Sequence, residues 1–312
     1  MSAQRTFPIV LAHGIARFDF LRESIQLQTE RLFGVSFDSI LSHLNDHGIH
    51  LHTDNLHYFR GIRSQLEDEG FEVRQTNVGF ATSLVSRAHD LRFQIEGVLQ
   101  ETGGSKVHII GHSMGGLDSR FIISKLGMGD RVASLTTIGT PHFGSSFADA
   151  GVAQGGTALV DSVSKVIDVR GLEDLTSNAC KTFNASVADD EVKNPVFYQT
   201  YSSVEDHDMV FSLLQPSWDV ITKAEGPNDG LVSLTSQAWV SELVANDGSR
   251  KPVPHHQFPV PGDHLNEVGW WDLDELRGTG PFNKLIAKDA YEQQIRQVYS
   301  GIARDLRARF PI

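Results

Sequence analysis

The sequence has almost no cysteine. Cys180 is the only one among 312 residues, so no disulfide can form within the chain and a disulfide-stapled scaffold is excluded. The same scarcity removes the thiolate clusters that hold structural zinc. A single cysteine is typical of proteins that fold in a reducing compartment.

Long apolar runs are missing too. No stretch approaches the roughly 20 apolar residues that a transmembrane helix needs. The first residues, MSAQRT, carry neither the apolar core nor the cleavage site of a secretory signal peptide. We therefore expect no transmembrane segment, and either a cytoplasmic protein or one secreted without a recognisable signal peptide in this chain.

Basic residues are fewer than acidic ones. Lys and Arg number 27 and Asp and Glu number 39, which gives a formal net charge of −12. Nucleic acid selects basic surfaces, so we expect no nucleic-acid partner. Hydrophobic residues make up 40% of the chain and charged residues 21%, proportions that are ordinary for a globular domain.

The order of predicted elements indicates an α/β fold built on a parallel sheet. Short apolar runs predict strands at residues 7–12, 71–74, 107–110, 131–138 and 196–201. Apolar residues at helical spacing predict helices at residues 55–70, 82–102, 116–123 and 283–309. This alternation predicts helices on both faces of the sheet. We expect a single domain over residues 1–312.

The hexapeptide GHSMGG at residues 111–116 joins a predicted strand to a predicted helix. A G-x-S-x-G sequence at such a turn exposes the serine hydroxyl as a nucleophile. Gly111 and Gly115 would let the strand and helix backbones approach closely. The pentapeptide alone is also compatible with a glycine-rich loop. The strand before it and the helix after it favour Ser113 as a nucleophile.

A serine nucleophile needs a base within hydrogen-bond reach and an acid that orients the base. In enzymes with this turn, the acid and then the histidine follow the serine along the chain. Asp229 is the best acid, because it lies in a tight Pro-Asn-Asp-Gly turn beside a strand predicted at residues 231–233. His264, on a loop with glycine and proline ahead of the last helix, is the best base.

Rival acids and bases lie nearby in the sequence. Asp206 and Asp208 stand in a polar, less constrained segment. His255 and His256 lie in a proline-rich segment, and we interpret them as solvated loop residues. An Asp-Gly turn or a late histidine can also be purely structural. Order, spacing and loop context together favour the first choice.

Two backbone N–H groups are predicted to form an oxyanion hole. The loop after the first strand begins with His13 and Gly14, and a loop at this place supplies one donor, which we assign to Ile15. The residue after the nucleophile, Met114, supplies the other. A plain turn is the alternative interpretation of the His-Gly pair.

Substrate-binding residues are predicted from their place in the chain. Loops at the carboxyl ends of parallel strands line the ligand crevice, which selects His142 and Phe143 after the strand at 131–138. Residues 145–190 hold amphipathic helix patterns and no strand, so we predict an inserted helical cap or lid there. Two ordinary surface helices are the alternative. The further residues predicted for the pocket and lid are Phe18, Leu159 and Val163.

With these residues identified, the chain resembles bacterial triacylglycerol lipases of the Pseudomonas and Burkholderia type, in the α/β-hydrolase superfamily. The matching segments are PIVLAHG at 8–14, GHSMGG at 111–116, GTPH at 139–142, NDGLV at 228–232 and HLNEV at 264–268. The resemblance implies an α/β-hydrolase fold with a mobile helical lid. It also implies a triad and an oxyanion hole made of Ser113, Asp229, His264, Ile15 and Met114.

We therefore expect a serine carboxylester hydrolase of the triacylglycerol lipase type that acts through an acyl-enzyme and needs no cofactor. Its partner would be an ester or lipid substrate, including one at a lipid–water interface. Two alternatives stay open. The same scaffold serves short-chain esterases, polyester hydrolases, phospholipases, thioesterases and acyltransferases. A non-catalytic binding protein of this fold is the other.

The sequence departs from the family at the positions of its calcium ligands. The resemblance places one family aspartate two residues after His264, where this chain has Asn266, and another before a proline, where the nearest match is Gln215. Calcium prefers hard anionic oxygen ligands, so we predict no metal site of this type. The melting temperature should be the same with calcium and with a chelator. A calcium-dependent rise would contradict the prediction.

Overall fold

The computed structural model describes residues 6–15, 58–79, 83–154, 163–164, 169–270 and 281–312. Within them lie the strands β1 (Ile9–Ala12), β2 (Val73–Gln75), β3 (Val107–His112), β4 (Val132–Ile138), β5 (Phe197–Ser202), β6 (Glu242–Val244), β7 (Arg250–Pro252) and β8 (His255–Gln257). Six of them form one parallel sheet in the order β2-β1-β3-β4-β5-β8, and β6 pairs with β7 in an antiparallel ribbon.

Helices connect these strands. In the described part of the chain they are α1 (Ile62–Asp68), α2 (Leu84–Thr102), α3 (Met114–Lys125), α4 (Ser146–Gln154), α5 (Ser177–Lys193), α6 (Gln215–Ala224), α7 (Leu234–Ala238) and α8 (Pro281–Arg309). Three short 3₁₀ helices lie at Val169–Leu175, His207–Met209 and Asn266–Val268. Among the described helices, none is both long enough and apolar enough to span a bilayer.

The sheet is buried on both faces because its central strands are apolar at nearly every position. Along β1, Ile9 and Leu11 join one hydrophobic core, and Val10 and Ala12 join the other. Successive side chains of a strand point to opposite faces, so a continuous apolar run marks a strand covered on both sides. The predicted parallel sheet with helices on both faces is confirmed.

Helix α2 shows how local sequence sets the boundaries of an element. The Ser83 side chain accepts a hydrogen bond from the Ser86 backbone N–H and so caps the first turn. Gly103 ends the helix in the left-handed region, with φ of 66°. The buried stripe between these ends includes Leu84, Ala88, Leu91, Ile95, Val98 and Leu99, which confirms the helix predicted here.

Two local predictions are wrong. The segment at 231–233 forms no strand. Only an isolated bridge joins Asn228 to Ser233, because the Ser233 side chain accepts from the Ser236 N–H and starts α7. His255 and His256 are exposed as predicted, yet they belong to edge strand β8, which pairs with β5. An edge strand tolerates proline and polar residues beside it.

The predicted cap at 145–190 is only partly within the described residues. Of its described elements, α5 lies against α3 through the buried ion pair between Arg120 and Glu191, at 2.7 Å. That is the arrangement of an ordinary surface helix. Helix α4 and the 3₁₀ helix at 169–175 contact each other. A lid in this segment stays a prediction.

His108 joins the start of β3 to both ends of the chain. Its Nδ1 lies 2.8 Å from Ser134 Oγ and its Nε2 lies 3.1 Å from Thr6 Oγ1. The ring centroids of Phe7 and Phe310 are 5.7 and 5.2 Å away. Burial lowers the pKa of His108 from 6.5 to about 4, so the folded protein favours the neutral imidazole.

This lowered pKa predicts a pH-dependent loss of stability. The neutral His108 side chain contributes its full stabilisation to the fold above pH 6.5. This stabilisation is lost as the pH falls towards about 4, because the unfolded chain then binds the proton more tightly. Between pH 7 and pH 5 the wild type should lose about 2 kcal/mol of unfolding free energy through this group. In His108→Gln, the fall in unfolding free energy between pH 7 and pH 5 should be smaller by about 2 kcal/mol. Urea unfolding at the two pH values measures it.

His89→Gln is the matched control. His89 is exposed on α2, so its environment changes little on unfolding. This variant should keep the pH dependence of the wild type. Equal pH dependence in all three proteins would contradict the prediction.

Candidate active site

The turn between β3 and α3 holds Ser113 in a strained backbone conformation. Ser113 has φ of 56° and ψ of −130°, a region that residues other than glycine seldom occupy. Its backbone N–H donates to the Ile138 carbonyl at 2.9 Å, and α3 begins at the next residue. Strain of this kind is what a nucleophile at a strand-to-helix turn predicts.

Three glycines allow this turn to form. A Cβ at Gly111 would lie 2.9 Å from the backbone of α3, one at Gly115 would lie 2.3 Å from the Ala12 carbonyl oxygen, and one at Gly116 would lie 2.1 Å from Thr140 Oγ1. None of these contacts can be accommodated without movement of the chain. The close backbone approach predicted for Gly111 and Gly115 is confirmed, and Gly116 adds a third.

His264 and Asp229 form a buried hydrogen-bonded pair. Nδ1 of His264 lies 2.7 Å from Oδ2 of Asp229, and both side chains are almost wholly buried. The other carboxylate oxygen accepts from the backbone N–H groups of Leu231 and Val232, at 2.8 and 2.7 Å. Because a carboxylate accepts, the proton of the neutral imidazole lies on Nδ1, and Nε2 is left able to act as a base.

The rival acids and bases lie in other surroundings. Asp206 and Asp208 are exposed. His255 Nε2 pairs with Ser202 Oγ at 2.8 Å on the edge of the sheet, and the ring of His256 stacks on Tyr201. The buried pair described above is therefore the acid–base arrangement that the structure brings beside Ser113.

Ser113 and His264 share the wall of one small cavity. Its volume is about 20 Å³, room for little more than one water molecule. Most of the lining is apolar, and the described residues around it are Ile15, Ser113, Pro141, Ser145, Phe147, Ala148, Leu172, Leu175, Leu231, Val232 and His264. Ser113 and His264 therefore face a common, largely apolar space.

The loop after β1 approaches Ser113 closely. A Cβ at Gly14 would lie 2.7 Å from Ser113 Cβ and 3.1 Å from its Oγ. Ile15 follows and lines the cavity. Met114 is the first residue of α3, so its own helix offers no acceptor for its backbone N–H. The residues predicted to supply the oxyanion donors thus lie on either side of Ser113.

Two side chains whose roles were not predicted from the sequence, those of Arg87 and His13, hold this loop. Arg87 donates from Nη2 to the His13 carbonyl at 2.8 Å and pairs with Asp118 at 2.7 Å. His13 Nδ1 lies 2.7 Å from the Gly14 carbonyl, and its Nε2 accepts from the Val78 N–H at 3.0 Å. A carbonyl only accepts and a backbone N–H only donates, so the proton of His13 lies on Nδ1.

The side chain of His13 is held neutral. Burial and the Arg87 guanidinium lower its pKa from 6.5 to about 4. Arg87 itself interrupts the apolar stripe of α2, and a cation on a buried face needs a partner. That interruption is the sequence signal that could have revealed its role.

His142 was predicted to line the pocket, and the structure places it in a packed polar cluster instead. Its Nε2 lies 2.9 Å from Thr137 Oγ1, and Arg120 donates to its Nδ1 at 3.2 Å. Its ring stacks on Trp239, with centroids 4.4 Å apart. These contacts use both ring nitrogens and one ring face, so His142 does not reach the cavity lining.

The other pocket predictions have mixed outcomes. Phe143 is 39% exposed and does not line the cavity beside Ser113, because its backbone N–H is held by Ser236 Oγ at 3.0 Å. Val163 is buried in the core that also contains Ile15 and Met114. Phe18 and Leu159 lie outside the described residues. The lining residues Phe147, Ala148, Leu172 and Leu175 were not singled out from the sequence.

The residues at the implied calcium positions do not fit the ion. Asn266 accepts from the Asp263 N–H at 2.8 Å and donates to the Trp270 carbonyl at 2.9 Å. Gln215 donates from Nε2 to a backbone carbonyl at 3.2 Å. The Asp263 carboxylate accepts three backbone N–H bonds, one of them from Phe211. Direct hydrogen bonds therefore hold this loop.

One group in the described part of the chain could hold a metal by distance alone. The ligand atoms of His112, His264 and Glu267 lie within 4.8 Å of one another. His264 Nδ1 is already bonded to Asp229, and His112 Nε2 lies 3.1 Å from Glu267 Oε2. These two nitrogens are engaged within the protein, so the arrangement fits a hydrogen-bond network better than a metal site.

Comparison with known proteins adds three findings. Residues 8–155 match the family described as the alpha/beta hydrolase fold. The triacylglycerol lipase of Pseudarthrobacter phenanthrenivorans is 33% identical over 147 residues, which cover 47% of this chain and 37% of that protein. The triacylglycerol lipase of Vibrio cholerae is 30% identical over 280 residues, which cover 78% of this chain and 77% of that protein.

Among solved structures, Bacillus licheniformis lipase BlEst2 in its mature form superposes with a TM-score of 0.57 and 18% identity. The superposition covers 84% of this chain and 86% of that one. At this identity the likeness shows the fold alone. The chain spans little more than a third of the length of the Pseudarthrobacter relative.

The contact between Gly14 and Ser113 makes a testable prediction. Gly14→Ala would force the nucleophile or the loop after β1 to move, and a shift of about 1 Å can cost about 100-fold in rate. Labelling of Ser113 by a fluorophosphonate should therefore slow by about 100-fold, measured in a protein whose circular dichroism spectrum is unchanged.

Gly97→Ala is the control for this substitution. Within the described residues, no atom beyond its chain neighbours and its own helix backbone lies within 4 Å of a Cβ at Gly97, so Ser113 should be labelled at the wild-type rate. The variant should also gain about 0.5–1 kcal/mol in stability, because Gly97 lies inside a helix. Wild-type labelling of Gly14→Ala would show that the loop lies farther from Ser113.

Proposed function

The chain belongs to the bacterial lipases of the α/β-hydrolase superfamily, and on this premise we propose that it hydrolyses carboxylic esters with Ser113 as nucleophile. The observation that carries the proposal is the buried pair of His264 and Asp229, which opens onto the same cavity as the strained Ser113. This combination supports a nucleophile, a base and an orienting acid.

In the proposed acylation step, Ser113 Oγ attacks the ester carbonyl carbon while His264 Nε2 takes its proton. Asp229 keeps the imidazole in the required tautomer and stabilises the imidazolium. The backbone N–H bonds from Leu231 and Val232 hold the carboxylate in place. His264 then gives the proton to the leaving alcohol, and the acyl group stays on Ser113.

The tetrahedral intermediate carries a negative oxygen that needs donors. We assign this role to the backbone N–H groups of Ile15 and Met114, each of which would supply about 10²–10³ in rate. Water, activated by His264, then attacks the acyl-enzyme through a second intermediate of the same charge. The carboxylic acid is released, and Ser113 regains its proton.

A triacylglycerol is the substrate that we propose first. The described relatives are named as triacylglycerol lipases, and the apolar lining suits an acyl chain. A cavity of about 20 Å³ is too small for such a chain, so the residues over Ser113 must move apart. Helix α4 and the 3₁₀ helix at 169–175 supply much of that cover, which supports a lid within residues 145–190.

A short-chain esterase is the second candidate, and the small cavity favours it. A series of p-nitrophenyl esters from acetate to palmitate, together with emulsified triolein, would separate the two. Activity that rises with chain length and on the emulsion supports a lipase. Activity confined to short soluble esters supports an esterase. Preferential cleavage of phospholipid, or acyl transfer to an alcohol, would indicate the other activities of this scaffold.

The proposal predicts the effect of removing each reacting group. Ser113→Ala should abolish p-nitrophenyl ester hydrolysis and leave the melting temperature near that of the wild type. Asp229→Asn should lower kcat by about 10³–10⁴, because the amide favours the wrong imidazole tautomer. Ser186→Ala, a change at an exposed serine of α5, is the control and should keep wild-type activity.

The outcome of the Ser113→Ala assay decides the central claim. Retained hydrolysis in that variant would remove Ser113 from the mechanism. Absence of both hydrolysis and fluorophosphonate labelling in the wild type would instead support a non-catalytic binding protein of this fold.

A further inference from the structure

A second hydrogen-bonded chain of a hydroxyl, an imidazole and a carboxyl group lies beside Ser113, His264 and Asp229. Tyr58 Oη lies 2.7 Å from His112 Nδ1, and His112 Nε2 lies 3.1 Å from Glu267 Oε2. The rings of His112 and His264 are 4.5 Å apart between centroids. All three members of this second chain are buried. The mechanism proposed above uses none of them.

The direction of its hydrogen bonds follows from the groups at its ends. Gly14 packs against the Tyr58 hydroxyl, because a Cβ there would lie 2.7 Å from Tyr58 Oη. Burial raises the pKa of Tyr58, and a backbone hydrogen bond from Gly14 opposes that rise. Only a donor favours a phenolate, so the Gly14 N–H donates to Tyr58 Oη. A buried phenol hydrogen needs an acceptor, and His112 Nδ1 is the one in place. His112 then carries its proton on Nε2 and donates it to Glu267 Oε2. Burial lowers the pKa of His112, and a backbone hydrogen bond with His264 opposes that fall.

Glu267 closes the chain as a neutral group. Burial and the neighbouring carboxylates of Asp229 and Asp263 raise its pKa well above the usual range. Its Oε2 lies 3.9 Å from His264 Nδ1, farther than the oxygen of Asp229. The groups that face it therefore favour a protonated acid, which does not compete with Asp229 for the imidazolium.

Packing holds both ends of the chain in place. The hydroxyl of Tyr299 donates to the Glu267 backbone carbonyl at 2.9 Å, so it touches the network without joining the side-chain hydrogen bonds. A Cβ at Gly139 would lie 2.1 Å from Glu267 Oε2, and one at Gly14 would lie 2.7 Å from Tyr58 Oη. The carboxyl group and the hydroxyl thus each fill a space that glycine leaves open.

We infer that Tyr58, His112 and Glu267 are positioning residues that fix the oxyanion loop relative to the catalytic base. The inference rests on the proposed function. Tyr58 holds Gly14, and the next residue, Ile15, carries the donor assigned to the oxyanion. Glu267 lies three residues after His264, on the loop that carries this proposed base, which we call the base loop. The chain therefore joins the two loops whose spacing sets where the oxyanion forms.

The decisive comparison is between Tyr58→Phe and Tyr299→Phe. Each removes one buried hydroxyl next to the same network, and both should lower the melting temperature to a similar extent. Only Y58F releases the Gly14 N–H. It should lower kcat on a p-nitrophenyl ester by about 10-fold with KM within about twofold, because the lost support acts in the transition state. Y299F should keep kcat within about twofold of the wild type.

A thionoester of the same acid separates an oxyanion effect from a general loss. Its sulfur accepts N–H bonds weakly, so it gains little from a well-placed oxyanion hole. The ratio of ester to thionoester kcat should fall by about 10-fold in Y58F and stay constant in Y299F. A loss through the base or the nucleophile would affect both substrates equally.

Two changes at Glu267 test the other end of the chain. Glu267→Gln keeps an oxygen that accepts from His112 Nε2–H, so it should preserve kcat and the ester-to-thionoester ratio. Glu267→Leu removes the acceptor and should reproduce the Y58F ratio. The double variant Y58F/E267L should show the ratio of either single variant, because both changes break one chain.

The outcomes distinguish this inference from the proposed function. A wild type without esterase activity would overturn both. An active wild type in which Y58F and Y299F give the same ratio would overturn the positioning chain alone. A 10-fold or larger loss in E267Q would also overturn it, because that would require an ionised Glu267.

Discussion

The contact between the end of β1 and the start of α3 is the constraint on which the site depends. Gly115 faces the Ala12 carbonyl so closely that a Cβ would lie 2.3 Å from it. This approach brings the loop after β1 against the turn that carries Ser113. A larger residue would separate the two backbone segments that we propose to bind the oxyanion, so the close approach itself requires glycine.

Buried charges hold the loops around that contact. Arg87 reaches from α2 to the His13 carbonyl and is neutralised by Asp118. The Asp263 carboxylate gathers backbone N–H groups from the base loop and from Phe211. A buried Arg87 without a partner would cost several kcal/mol, and burial raises the pKa of Asp263 to about 7 against the effect of its N–H bonds. Each group needs the bonds that it makes, so each specifies one loop arrangement. The Asp263 side chain thereby holds the base loop in place.

Much of the fold and part of the site could be predicted from the sequence. The continuous apolar runs of β1 and β3 predict strands covered on both faces, and the glycines around Ser113 predict a close approach of strand and helix. The strand expected at 231–233 failed because a serine cap there starts a helix instead. The loop residue His142 was placed in the pocket by its position after β4, and its contacts with Arg120 and Trp239 decide otherwise.

The sequence by itself determined the parallel sheet, the turn at Ser113 and the order of the residues that we propose as nucleophile, acid and base. These depend on periodicity and on short motifs whose residues are neighbours in the chain. Only the tertiary structure decided that His264 pairs with Asp229, that Arg87 holds the loop after β1, and that Tyr58, His112 and Glu267 form one chain. Tyr58 and Glu267 lie more than 200 residues apart, and no local pattern reports contacts that arise only when distant segments pack.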